Sequence, residues 1–188
     1  MERLLQFLQS VHPMSPELIE YLAGAIQMKE LCKKEILLKA GHICRNIYFI
    51  EKGLLRCFYI KGNNEVCSWF MKEMDVIVSI ESFYLRTTSY ESIQALEDCV
   101  LYYISYEDLY HMYRTYPEFN WTGRELTQNY YILWAKQLYG IRMQQAPERY
   151  LWLLENHPDL ILRVAAKYLA SWLGITEVML SKIKGMKL

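Results

Sequence analysis

The sequence predicts an α+β protein with an N-terminal antiparallel β-barrel of the jelly-roll type, a long helix and a C-terminal winged-helix-like helix-turn-helix. Short apolar runs rich in β-forming residues fill positions 35–105, and helical periodicity replaces them from position 117 onward. A hydrophobic fraction of 53% over 188 residues is sufficient for a buried core. We therefore expect a barrel segment at 1–116, a long helix at 117–143 and a helix-turn-helix segment at 144–188.

The barrel segment opens with a helix-start signal. Ser15, Pro16 and Glu17 are typical of an N-cap, a first helical position and an acidic first turn, and predict a helix to about Gln27. Turn-forming residues then separate seven predicted strands, at 36–38, 47–50, 54–60, 66–71, 76–80, 92–96 and 100–104. Short strands at near-regular spacing predict an antiparallel sandwich or barrel, which can hold a small ligand.

The predicted long helix follows a short helix at 106–113 and carries two apolar rows. A helix with two apolar stripes needs two partners, so we expect one row to pack on the barrel and the other on the same helix of a second subunit. The alternative is a helix buried within its own monomer. The rows are Phe119, Leu126, Tyr130 and Leu133, and Tyr131, Trp134, Leu138 and Ile141; the dimer candidates are Leu126, Tyr130, Leu133, Tyr131, Trp134 and Leu138.

A helix pair is predicted at the C-terminal end, after a helix that runs from Ala146 to about Asn156. Residues 165–184 read AAKYLASWLGITEVMLSKIK. Ala170 is the small residue required where two helices cross, Gly174 suits the turn, and Thr176 is a good N-cap for the second helix. This spacing predicts a DNA-reading helix-turn-helix, whereas an ordinary αα-hairpin is the alternative.

The charge distribution indicates an anion-binding surface at the same end of the chain. The chain has 21 basic residues (lysine and arginine) and 21 acidic residues (aspartate and glutamate). From Arg163 onward, however, it has five basic residues and one acidic residue. We expect double-stranded DNA to bind there, and the modest charge implies a dimer on a two-fold operator. The predicted DNA contacts are Thr176, Glu177, Val178, Ser181, Lys182, Lys184 and Arg163; Glu177 also suits the helix dipole.

Several classes of protein are not expected. The five cysteines form no CxxC pair and follow no secretory signal, which indicates a reducing cytoplasm. No uncharged 18-residue stretch predicts a membrane span. The four histidines are scattered without an HxH pair, and P-loop, GxSxG and HExxH motifs are missing, so we expect neither a metal site nor an enzyme.

The order of these segments resembles the Crp/Fnr superfamily of transcription regulators, particularly the versions common in Bacteroidetes. The resemblance runs from about Leu31 to Lys184. It implies a cyclic-nucleotide-binding-like barrel, a homodimer, DNA binding and RNA polymerase as a further partner. The stretches that carry it are Ala40-Gly41, residues 48–56 (YFIEKGLLR), 94–98 (QALED), 146–150 (APERY) and 168–176 (YLASWLGIT).

The resemblance also implies an effector pocket. Founding members bind cyclic AMP through a cassette in which an Arg-Ser pair meets the cyclic phosphate. Here Glu91 stands where the arginine is required, and its charge would repel the phosphate, so cyclic AMP is not expected. Arg86 is a nearby alternative anchor. The aromatic residues favour an apolar effector, and the candidate pocket residues are Trp69, Ser79, Glu81, Ser82, Phe83, Glu91 and Ser92.

Three departures from the family pattern matter. No cysteine precedes Cys32, so we expect no iron–sulfur cluster of the Fnr type. The family's recognition helix often carries an Arg-Glu pair and a second arginine four residues after that Glu; these three places hold Glu177, Val178 and Lys182 here. The segment from His157 to Arg163 is short for the family's β-wing.

An effector-binding or protein-interaction module with a vestigial helix-turn-helix is the alternative function.

Overall fold

The computed structural model describes residues 1–185, which divide into two compact units. The N-terminal unit consists of residues 1–57 and 70–128. The C-terminal unit consists of residues 58–69 and the chain from Asn129 onward.

Two helices open the N-terminal unit, α1 (Glu2–Val11) and α2 (Pro16–Ala25). The hydroxyl of Ser15 accepts a hydrogen bond from the Leu18 amide at 3.3 Å, which confirms the predicted N-cap. Helix α1 was not predicted. Its buried residues are Leu4 and Leu8, one turn apart.

Eight strands are present within residues 1–185, in two four-stranded sheets of order β1-β8-β3-β6 and β2-β7-β4-β5. This alternation between sheets is the order of a jelly roll. The predicted closed barrel is wrong for the described chain, because each sheet ends on strands that pair on one side. The strands are β1 (Gln27–Leu31), β2 (Ile36–Leu38), β3 (Asn46–Lys52), β4 (Leu55–Lys61), β5 (Asn64–Met71), β6 (Val76–Ile77), β7 (Glu91–Ala95) and β8 (Cys99–Ser105).

Strands β1 and β6 differ from the prediction. β1 was missed because four of its five residues are exposed; it pairs antiparallel with β8, from Gln27 opposite Tyr103 to Leu31 opposite Cys99. β6 stops at Ile77, and residues Ile80–Leu85 form helix α3 in place of the predicted strand end.

The turn between β3 and β4 requires glycine at position 53. The φ angle of Gly53 is +104°, which favours glycine. A Cβ atom there would lie 2.5 Å from the Cys99 sulfur and 2.8 Å from the Asp98 carbonyl oxygen. The turn therefore packs its backbone directly against the start of β8.

Two helices follow β8 at the predicted positions, α4 (Tyr106–Thr115) and α5 (Pro117–Met143). Ser105 and Asp108 form a reciprocal capping box at the start of α4. Helix α5 begins in the N-terminal unit, where Phe119 and Thr122 are buried, and continues without a break into the C-terminal unit.

The C-terminal unit contains the hairpin segment 58–69, the second half of α5 and four further helices. These are α6 (Ala146–Asn156), α7 (Pro158–Arg163), α8 (Ala166–Trp172) and α9 (Glu177–Lys184). No strand lies between α6 and Gly185, so the predicted β-wing is not seen in this part of the chain. Proline at the first position of α7, with an acid next to it, explains why these residues form a helix.

Candidate functional site

The cassette segment, which we define as residues 76–92, is held by buried serines. Ser79 and Ser89 are each 3% exposed, and their hydroxyl oxygens lie 2.9 Å apart. The Ser82 hydroxyl accepts from the Cys44 amide at 2.8 Å and donates to the Thr87 carbonyl at 2.6 Å. These hydroxyls are engaged in fixing the segment itself.

Glu91 lies at the start of β7, beside these serines. Its amide donates to the Ser89 hydroxyl at 3.1 Å, and the Ala40 amide donates to the neighbouring Ser92 hydroxyl at 3.0 Å. Burial raises the pKa of the Glu91 carboxyl, and a hydrogen bond from Ser79 lowers it in part. Glu91 is therefore a partly buried acid among the serines of the cassette segment.

The Arg86 guanidinium contacts groups of the protein that lie outside the cassette segment. It ends α3 in a left-handed conformation with φ of 58°, and its Nη1 donates to the Cys44 carbonyl at 3.3 Å. The guanidinium lies 4.4 Å from the centre of the Tyr106 ring and 3.7 Å from the Glu107 carboxylate. Its charge is thus engaged by an aromatic face and an acid.

The remaining predicted pocket residues are dispersed. Phe83 is 0% exposed and packs edge-on against Tyr84 and Tyr106, as a core residue does. Glu81 is exposed on α3. Trp69 belongs to the C-terminal unit, where it stacks on Trp134 with ring centres 6.1 Å apart.

The α8–α9 pair has the predicted turn. Gly174 has φ of +67°, and the Ile175 amide donates to the Ala170 carbonyl at 3.0 Å, which ends α8. The Thr176 hydroxyl accepts from the Met179 amide at 3.1 Å and caps α9. The predicted glycine turn and N-cap are confirmed.

Helix α9 has a buried face and an exposed face. Leu180 and Ile183 are each 1% exposed and hold the helix in the unit. The exposed side chains of α9 and of its N-cap are two hydroxyls, one acid, two lysines and two apolar side chains, which are Thr176, Glu177, Val178, Met179, Ser181, Lys182 and Lys184. Hydroxyls and lysines are the groups that contact phosphates and base edges.

Arg163 and Lys187 are two of the five basic residues in the sequence from Arg163 onward. Arg163, at the end of α7, has its Nη1 3.7 Å from the Asp159 carboxylate, one helical turn away. Part of its charge is therefore balanced. Lys187 lies outside the described residues.

The hairpin segment contacts α8 through Ser171, a residue that the sequence analysis did not select. Its hydroxyl accepts from the Cys67 amide at 2.9 Å and donates to the Glu65 carbonyl at 3.3 Å. Gln137 of α5 donates to the Ser68 carbonyl at 2.8 Å. No local pattern marks these residues, because their partners lie 69 or more positions away in the chain.

The two apolar rows of α5 differ in exposure. Phe119 is buried, Leu126 and Tyr130 are half-buried, and Leu133 is 37% exposed. In contrast, Tyr131 is 75% exposed and Trp134 and Leu138 about half. The second row therefore presents an apolar surface on the single chain.

None of the helices in residues 1–185 combines the length and apolarity that crossing a membrane requires. The same residues contain no group of three or more His, Cys, Asp or Glu side chains placed to hold a metal ion.

Comparison with known proteins identifies the domain and the fold. Residues 28–116 match the family model of the cyclic nucleotide-binding domain. Among curated protein sequences, none matches this chain significantly.

Similar solved structures include the c-di-GMP responsive global regulator CLP of Xanthomonas campestris, with a TM-score of 0.69 and 16% identity over 90% of this chain and 89% of that one. FixK2 of Bradyrhizobium japonicum has a TM-score of 0.71 and 15% identity over 85% and 82% of the two chains. A crp/fnr-family transcriptional regulator of Eubacterium rectale has a TM-score of 0.69 and 16% identity over 90% and 82%. The chain thus contains a segment of the cyclic nucleotide-binding type and has the α+β fold of Crp/Fnr regulators.

Proposed function

We propose that this protein is a DNA-binding transcription regulator of the Crp/Fnr type that acts as a homodimer. The observation that carries the proposal is the exposed polar face of α9, opposite the buried Leu180 and Ile183. In a helix-turn-helix, the second helix enters the major groove with such a face. The shared fold with Crp/Fnr regulators supports this role, although the Bacteroidetes subgroup stays a prediction.

Dimerisation is proposed through the exposed row of α5. A single chain leaves Tyr131, Trp134 and Leu138 in contact with water, and pairing with a second α5 would cover them. A two-fold dimer also presents two copies of α9, which matches a two-fold operator.

The effector is proposed to be a small molecule other than cyclic AMP. Support comes from the partly buried Glu91 and from Arg86, whose guanidinium is engaged by Tyr106 and Glu107. A cyclic phosphate would meet an acid where it needs a cation, and low local dielectric strengthens that repulsion.

Two continuous elements offer a route from the N-terminal unit to α9. Strand β4 begins in the N-terminal unit and ends in the hairpin segment that Ser171 holds, and α5 also runs through both units. An effector that binds one conformation better than another would change DNA affinity through these elements.

Titration of promoter fragments from the protein's own genomic neighbourhood, at several salt concentrations, tests the proposal. We expect specific binding that weakens steeply with salt, because cations on the protein release counterions from DNA. The double variant Ser181→Ala, Lys182→Ala should lower affinity about tenfold or more and reduce the salt slope by about 1.

The matched control is Lys29→Ala, which removes an exposed lysine from β1 and should leave DNA affinity unchanged. An equal loss in both variants would contradict the assignment to α9. Absence of DNA binding at low salt, with and without cell extract as a source of effector, would favour the module with a vestigial helix-turn-helix.

A further inference from the structure

The C-terminal unit contains a cavity of about 390 Å³ bounded by the second half of α5, by α6 and by the end of α8. Small-molecule sites fall in the range of roughly 300–1,000 Å³ and have mostly apolar walls. Here the walls include Ile132 and Tyr139 from α5, Trp152 from α6 and Trp172 from α8. The size and the walls both suit an aromatic or aliphatic group.

Two cations line this cavity, Arg149 and Lys136. The Arg149 side chain is fixed, since its Nε donates to the Leu173 carbonyl at 2.8 Å and its Nη1 to the Gln144 carbonyl at 2.5 Å. Among residues 1–185, no carboxylate lies within ion-pair distance of either cation. A partly buried guanidinium without an acid is poorly compensated and attracts an anion.

The cavity shares part of α5 with the exposed row. Tyr131 and Ile141 of that row line the cavity together with Ile132 and Tyr139, whereas Leu138 lies outside the lining. Leu138 is therefore the residue of the row that tests pairing separately from the cavity.

We propose that this cavity binds a small organic acid, with its apolar body against the tryptophans and its anionic group at Arg149. Lys136 supplies a second, more exposed positive charge. Such a ligand contacts α5, α6 and α8 together and stabilises their arrangement by mass action. Binding does not depend on the proposed DNA-binding function, so the two proposals fail separately.

Two fluorescent probes test the proposal on the full chain. 8-Anilinonaphthalene-1-sulfonate is an aromatic anion, and N-phenyl-1-naphthylamine is the same aromatic body without the sulfonate. We expect the anion to bind with saturation, at one equivalent per chain and about tenfold or more tighter than the neutral probe, because a charge-assisted hydrogen bond discriminates by this factor.

The charge is tested with Arg149→Met, which should remove the preference for the anion while the neutral probe still binds. Arg142→Met is the matched control, since Arg142 is an exposed residue of α5 outside the cavity lining. It should leave the preference intact. Equal affinity of the two probes for the wild-type chain would overturn the proposal.

The location is tested with Ala135→Trp, which fills the cavity, leaves Arg149 unchanged and should abolish binding of both probes. Leu138→Ser removes apolar surface from the exposed row and should leave binding unchanged. Binding that survives Ala135→Trp, or that is lost in Leu138→Ser, would place the probe on the exposed row and refute the cavity as the site. The Ala135→Trp variant keeps the test decisive if Arg149→Met unfolds.

Discussion

At the scale of single residues, the burial of Glu91 makes the stability of the fold depend on pH. Burial raises the pKa of its carboxyl, so the folded protein favours the protonated form more than the unfolded chain does. The stabilising contribution of the protonated group is complete below the unfolded pKa, about 4.3, and is lost as pH rises through the folded value. Above the unfolded pKa, the raised pKa of Glu91 therefore lowers the free energy of unfolding.

Glu91→Gln should consequently raise the free energy of unfolding at pH 7, and the gain should disappear near pH 4. Urea unfolding curves at the two pH values measure this difference. Glu20→Gln, which removes an exposed carboxylate from α2, is the matched control. A gain of the same size at pH 4 and pH 7 would show that lost charge is not the cause.

At the scale of elements, the hydroxyl of Ser171 links the hairpin segment to α8. Ser171 pairs with the amide of Cys67 and the carbonyl of Glu65, two backbone groups of the edge strand β5. An edge strand presents unpaired backbone groups, and a side chain that satisfies them attaches it to its neighbour. The segment should therefore open locally when this hydroxyl is removed.

Ser171→Ala should speed hydrogen exchange at the Cys67 amide by about fivefold or more, the equivalent of one net hydrogen bond of about 1 kcal/mol. Native-state exchange followed by NMR measures the rate. Ser181→Ala, at an exposed serine of α9, should leave this amide unchanged. Identical rates in Ser171→Ala and wild type would mean that the hairpin is held by other contacts.

At the scale of the whole molecule, the exposed row of α5 predicts the oligomeric state. We expect the chain to sediment as a dimer, and Leu138→Glu to weaken dimerisation roughly a hundredfold, because a buried unpaired charge costs several kcal/mol. DNA affinity should fall together with dimerisation. Analytical ultracentrifugation over a concentration series measures the dimer dissociation constant.

Ile60→Glu is the control for this experiment. Ile60 is 60% exposed and lies in the hairpin segment, away from the α5 row in the sequence, so the same chemical change should leave the dimer intact. A wild-type monomer, or an unchanged dimer in Leu138→Glu, would refute the proposed contact.

The bounds of α5 and the turn between α8 and α9 were predictable from the sequence by itself. Their signals are local: Pro117 at a helix start, Gly174 at a positive φ angle and Thr176 as an N-cap act within a few residues of the chain. Such interactions require no knowledge of distant partners.

Only the tertiary structure decided the pairing of distant segments. It placed the polar strand β1 beside β8, arranged the strands in two sheets and aimed Arg86 at Tyr106. It also brought α5, α6 and α8 around a shared cavity. These outcomes depend on contacts between residues far apart in the chain, where backbone hydrogen bonding and burial outweigh local preference.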